Sequence, residues 1–166
     1  MNSELREIRG AQSREGLLEV TRRAHHAECV ICGPGHPSGL RLQFRMRKPG
    51  QVYTFFSCSR VFQGYPAMLH GGITAAIIDD AMANCLFSLG VAGITGDLMV
   101  RYERPVRVGG SAEVRADFVR GCDPVYHVAA ELWQDGVLCV RATARFADER
   151  WAAESWGLQT ASVGTA

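Results

Sequence analysis

The chain holds 166 residues with a formal net charge of +1; 47% of residues are hydrophobic and 21% charged. That length suits one domain with a single core and is too short to expect two. The balance is ordinary for a globular protein, and without a basic run nucleic-acid binding has no electrostatic support.

The opening MNSELREIRG mixes both charge signs and lacks an apolar core, which argues against a secretory signal. Residues 3–26 read as a charged helix; Gly10 and Gly16 weaken it, so its helical part is expected from about Arg14. A loop rich in Cys, Gly and Pro follows, ECVICGPGHPSG. Leu40, Leu42, Phe44 and Met46 then alternate with Arg41, Gln43, Arg45 and Arg47, the period of a half-buried strand. Pro49-Gly50 makes a turn, since Pro presets φ and Gly accepts positive φ. Residues 52–58 read as the returning strand, and the loop Phe62-Gln63-Gly64-Tyr65-Pro66 leads into His70-Gly71-Gly72.

A helix is predicted over residues 72–89, ending at Gly90. It is apolar on nearly all sides, as a helix wrapped by a sheet must be. Four strand-like runs follow, at 97–102, 112–120, 125–134 and 137–146. Their separators are Gly109-Gly110, Gly121-Cys122-Asp123-Pro124 and the hairpin signal Asp135-Gly136. From Ala147 onward Trp151 and Trp156 show no clear period, and this tail is expected to pack loosely or to contact a partner. The order predicts an α+β fold with local, antiparallel strand connections around one helix. One sheet with one helix leaves an edge or a face open, so association with a second copy is expected.

The longest apolar run, residues 73–94, holds Asp79, Asp80 and Asn84 near its centre, which argues against a membrane span. Carboxylates inside an apolar helix are costly unless they are paired or used. The helix start offers unpaired N–H groups that favour negative charge. A base and a site for a developing oxyanion are the requirements of acyl chemistry. Gly71 and Asp79, eight residues apart, lie about 12 Å apart along a helix axis and roughly 80° around it. A hydrogen bond spans roughly 3 Å. The two groups cannot act on one carbonyl within a single chain; if both are catalytic, they come from different subunits. Spacing alone does not choose between Asp79, beside Ala75, Ala76, Met82 and Ala83, and Asp80, beside Ala76, Ile77 and Asn84. Either acid could also serve packing only.

Six cysteines are present, at 29, 32, 58, 85, 122 and 139. Free thiols in a reducing cytoplasm are the simplest reading. His26-x2-Cys29-x2-Cys32-x3-His36 sets four possible zinc ligands within eleven residues. That spacing is tight for a structural zinc site, and no second Cys pair supports it.

His70-Gly71-Gly72 with an acid nine residues after the His, inside HGGITAAIIDDAM, resembles the hotdog-fold acyl-CoA thioesterases, in particular their PaaI-like branch. The downstream ITGDLMVRYERPVRVGG, with its RYxxPVxxG pattern, and the final alternating strands extend the likeness over residues 29–146. The resemblance implies a hotdog fold, an antiparallel sheet of five or six strands wrapped around the central helix. The hotdog domain would span 29–147, with an N-terminal helical extension at 1–28 and a C-terminal tail at 148–166. It implies hydrolysis of an acyl-CoA thioester to free acid and coenzyme A by a homodimer or a tetramer built as a dimer of dimers. Asp79 falls in the family's acid position, as general base or nucleophile. Gly71 supplies the N–H that polarises the carbonyl oxygen, with Gly72 beside it. Thr95 orients water, and Gln63 contacts the thioester or water. His70 is a further candidate, either as a third catalytic group or as the residue that shapes the helix entry. Phe62, Tyr65, Met68, Met82 and Phe87 are candidate walls for the acyl group, and Arg104 and Arg107 for coenzyme A phosphates. A similar Cys-x-x-Cys-Gly segment in some such thioesterases covers the acyl site, so neither a metal nor another cofactor is expected. The alternatives on the same fold are an acyl-CoA-binding protein without turnover and a hydratase or dehydratase.

Overall fold

The structure, a computed structural model, describes residues 16–157. Residues 16–26 are helical (α1), in line with the expected helical part; the expected helix upstream lies outside the described residues. Leu18 buries into the core from this helix, and the His26 ring meets Phe87 edge-on at 4.8 Å between centroids.

The strand expected from Leu40 is a correction. Leu40, Leu42, Phe44 and Met46 do turn inward and Arg41, Gln43, Arg45 and Arg47 outward, but only Arg45–Lys48 (β1) joins the sheet. The earlier residues pair elsewhere: the N–H groups of Leu40 and Leu42 donate to Val30 O and Ile31 O, each at 2.8 Å. Arg41 also takes φ 51°, which no continuous strand accommodates. Gly50, at φ 76°, turns the chain into β2 (Gln51–Ser57).

The central helix α2 spans Gly71–Phe87. It is followed by β3 (Gly93–Tyr102), β4 (Ser111–Cys122), β5 (Val125–Gln134) and β6 (Val137–Asp148). The β5–β6 turn is the expected two-residue hairpin; Asp135 and Gly136 take φ 52° and 74°. All pairings are antiparallel, in the order β1-β2-β4-β5-β6-β3. This is the expected α+β architecture of one sheet around one helix. Helix α2 packs against β2 through β6, burying Ile77, Ile78, Ala81, Met82, Cys85, Leu86 and Phe87. Gly93 lets β3 approach it closely: a Cβ there would lie 2.8 Å from Leu86 Cδ1 and 3.1 Å from Phe146 Cβ.

The tail carries one further element. Residues Glu149–Trp156 form a helix, α3, capped by Asp148, whose carboxylate accepts from the Arg150 and Trp151 N–H groups. Gly157 closes it at φ 65°. Eight residues are too few for the tail's period to show, and only Ala152 is buried on it. Among the described residues no helix is long and apolar enough to cross a membrane.

Strand β3 is a sheet edge, paired to β6 alone. It carries a bulge: Thr95 faces Phe146 and Asp97 faces Arg145, so Gly96 is surplus. Leu98 and Val100 face the core beyond the bulge, while Asp97, Met99 and Arg101 face out. Three steps of unbroken alternation would set Thr95 and Leu98 on opposite faces. The bulge absorbs one step, so both face α2.

Candidate active site

Adjacent residues on a helix point about 100° apart, and Asp79 and Asp80 meet different partners. The Asp79 carboxylate is half-buried and accepts from the Thr95 hydroxyl at 2.8 Å, with Oδ1 as acceptor. Burial raises its affinity for a proton; the Thr95 bond and the field of His26 act in the opposite direction. Asp80 is 4% exposed. Its Oδ1 lies 3.2 Å from His26 Nδ1 and 3.3 Å from the sulfurs of both Cys29 and Cys32. Its Oδ2 accepts from Asn84 Nδ2 at 3.2 Å. Burial raises the Asp80 carboxyl, and the bond to His26 opposes that. Burial likewise disfavours a charged His26, but its bonds to Asp80 and Cys29 outweigh it and lift the imidazole to about 9. Both Asp80 oxygens are therefore engaged, and Asp79 is the acid left facing the open edge strand.

The start of α2 is built by His70. This residue is the N-cap: its Nδ1 accepts from the Gly72 N–H at 3.0 Å, and its carbonyl accepts from the Thr74 N–H and hydroxyl. Its own N–H donates to Phe62 O at 2.8 Å, fixing the entry loop. The structure thus sets His70 in the role of shaping the helix entry, with Nδ1 occupied. The Gly72 N–H is spent on that cap. The Gly71 N–H has no acceptor among the described residues, and it sits at the positive end of the helix dipole on an exposed residue.

Sequence reasoning missed Tyr102 as a site residue. Its hydroxyl donates to Gly71 O at 2.6 Å, tying the far end of β3 to the first turn of α2. An aromatic at a strand end reads as packing, and its only signal was its place in the RYERPV run.

The remaining candidates scatter. The exposed Gln63 accepts from the Ala67 N–H at 3.1 Å, so its side chain braces its own loop. Tyr65 and Met68 on that loop are exposed, and Phe62 is half-buried against the core. Met82 and Phe87 are wholly enclosed in the core, so in a single chain they line no open groove. Arg107 pairs with Asp135 at 3.0 Å, and Arg104 is exposed with no acidic partner among the described residues. His36 stands apart from the Cys29–Cys32 loop; its Nδ1 accepts from the Ser38 N–H at 3.2 Å. That loop lies against Asp80.

The acyl-CoA thioesterase N-terminal domain family matches residues 61–147, and the chain belongs to it. Its fold is the hotdog fold of the thioesterase superfamily. A thioesterase superfamily protein superposes with a TM-score of 0.70 at 21% identity, over 89% of this chain and 80% of its own. A phenylacetic acid degradation-related protein from Ralstonia eutropha JMP134 gives 0.62 at 26% identity, over 69% and 89%. A hypothetical thioesterase from Streptococcus pneumoniae TIGR4, solved with coenzyme A, gives 0.62 at 16%, over 65% and 88%. No curated protein matches the chain.

Proposed function

We propose that the chain hydrolyses acyl-CoA thioesters to carboxylic acid and coenzyme A, at sites shared between two copies. One observation carries this reading. The open edge strand β3 holds Asp79 through Thr95 at one end and Gly71 through Tyr102 at the other. A ten-residue edge with no Pro and no Lys is a ready template for a second strand. If β3 pairs antiparallel with its copy about a two-fold axis between Leu98 and Met99, Thr95 stands opposite Tyr102 of the partner subunit. Asp79 of one chain then faces Gly71 of the partner subunit, although the same pair lies about 12 Å apart along α2 within either chain.

The chemistry follows from these groups. Asp79 takes a proton from water as the oxygen adds to the thioester carbonyl, or its carboxylate adds directly and gives an acyl anhydride that water hydrolyses in a second step, releasing the proton. The Gly71 N–H of the partner subunit donates to the oxyanion, a contribution of about 10²–10³ in rate. The C–S bond then breaks and the coenzyme A thiolate takes up the proton. Thr95 fixes the carboxylate, His70 and Tyr102 fix the donor, and Arg104 and Arg107 lie where exposed phosphates would meet positive charge. The pneumococcal relative was solved with coenzyme A and one from Streptococcus mutans with acetyl-CoA. In the pneumococcal protein an aspartate and a threonine were each replaced by alanine; they lie sixteen positions apart, as do Asp79 and Thr95.

The test is thiol release across short, medium, long and aryl acyl-CoAs. Asp79→Asn should lower kcat/KM by about 10²–10⁴ with the circular dichroism unchanged. No thiol release from any of the four classes refutes the activity. Loss confined to Asp80→Asn moves the base to the other acid.

A further inference from the structure

Four side chains of three chemical kinds converge away from Asp79: His26 at the end of α1, Cys29 and Cys32 in the following loop, and Asp80 on α2. Their Nδ1, Sγ, Sγ and carboxylate oxygen atoms all lie within 4.8 Å of one another. Asp80 Oδ1 is 3.2 Å from His26 Nδ1 and 3.3 Å from each sulfur; Cys32 Sγ is 3.6 Å from His26 Nδ1. A tetrahedral zinc ion with ordinary bond lengths needs about 3.3 Å between nitrogen and oxygen ligands, about 3.5 Å between a sulfur and either of these, and about 3.8 Å between two sulfurs. The four measured edges lie within about 0.3 Å of the N–O and mixed-sulfur figures, and the other two, both to Cys29 Sγ, lie within 4.8 Å. We infer that His26, Cys29, Cys32 and Asp80 form a zinc site that clamps α1 and the cysteine loop onto the middle of α2.

The surroundings fit a metal better than the other uses of these groups. The Ile31 N–H donates to Cys29 Sγ at 3.4 Å, and Asn84 Nδ2 lies 3.6 Å from Cys32 Sγ; both stabilise thiolates. Asn84 also donates to the outer oxygen of Asp80 at 3.2 Å, the supporting bond that orients a ligating carboxylate. Gly33 allows the loop to close this tightly, since a Cβ there would lie 2.4 Å from Cys29 N and 2.6 Å from Ala27 O. A Cys-His-Asp catalytic triad needs the acid and the thiol on opposite ring nitrogens. Here one nitrogen, Nδ1, faces both. With borderline-soft N, O and two S donors the set suits zinc, and four protein ligands leave no open position, the mark of a structural site. The short sequence spacing that argued against zinc is met by a ligand 48 residues further on, in place of His36. The site stands whether or not Asp79 hydrolyses a thioester, because its readouts are metal content and spectra.

The full chain, reduced and freed of metal, is loaded with zinc and dialysed, and its metal content is measured. Cobalt loading gives a second readout, since thiolate-to-cobalt charge transfer and tetrahedral d–d bands report the ligands. The expected result is one zinc retained per chain. The cobalt spectrum should be of the tetrahedral thiolate type, with charge transfer weakened in Cys29→Ser and in Cys32→Ser and unchanged in Cys122→Ser and His36→Ala. Maleimide labelling with peptide mapping should find Cys29 and Cys32 protected by zinc and modified without it. If the cysteine variants fail to fold, the cobalt spectrum and labelling of the unmutated chain still decide. Retention of no zinc, a cobalt spectrum without thiolate bands, or equal labelling with and without zinc overturns the site. So does isolation of a Cys29–Cys32 disulfide whose reduction restores no metal binding.

Discussion

A shared site has a quantitative signature in mixed oligomers. Gly71→Pro removes the N–H without removing the helix, because proline is favoured at the first helical position and the preceding His70 is extended, with φ −63° and ψ 130°. The added Cβ meets the Tyr102 ring at ordinary contact distance, with Oη at 3.4 Å and Cζ at 3.6 Å. Alone, this variant should lose about 10²–10³ in kcat/KM and Asp79→Asn about 10²–10⁴. In a pair made from one chain of each, one site joins the intact Asp79 of the first variant to the intact Gly71 of the second. The other site joins the two defects. Random exchange makes half the pairs mixed, so an equimolar mixture of the two inactive proteins should regain about 25% of wild-type thiol release. The assay is release of coenzyme A after co-refolding, with each variant alone as baseline. Absence of recovery, in mixtures where mixed pairs are demonstrated by mass spectrometry, would refute the division of labour between subunits.

Thr95→Val keeps a β-branched shape but drops the bond to Asp79, worth about 1.5–3 kcal/mol when the acceptor is charged. Steady-state kinetics should show a loss of about ten- to a hundredfold in kcat/KM, and a change below twofold would detach Thr95 from the mechanism. Gly93→Ala should destabilise by about 1–3 kcal/mol, read by urea unfolding, because its methyl would sit 2.8 Å from Leu86; wild-type stability would mean that β3 does not rest on α2 there. Burial holds the Cys58 and Cys85 thiols up at about 11 and about 12. At pH 8 both are neutral, so native protein should react with a thiol reagent at the exposed Cys122 before Cys58 or Cys85, and early labelling of either would contradict their enclosure.

Where a side chain's partners are local or periodic, the sequence was enough. The all-round apolar helix, Asp135-Gly136 and the strands after it came out within a few residues of their observed bounds. Reading stopped where a contact joins distant segments. Leu40 and Leu42 alternate like a strand, yet their backbone groups were claimed by Val30 and Ile31, a pairing that no periodicity displays. The short α3 is held by Asp148 and Gly157 rather than by a long apolar stripe. Around the candidate site, Asp79 and Thr95 were named, but that they touch depends on a bulge at Gly96 invisible to a one-residue-at-a-time reading. Tyr102 and the joining of Asp80 to the cysteine loop were missed for the same reason: each partner lies 31 or more positions away.

The surplus residue in β3 makes function here depend on counting as much as on chemistry. Insertion of one residue between Asp97 and Leu98 would leave every candidate catalytic group in the chain, yet with Leu98 held in the core it would rotate Thr95 to the outer face and strand Asp79 without its donor. Along this stretch, exchange of one amino acid for another is the mild lesion and a change in length the severe one, so divergent relatives should vary in letters here long before they vary in spacing.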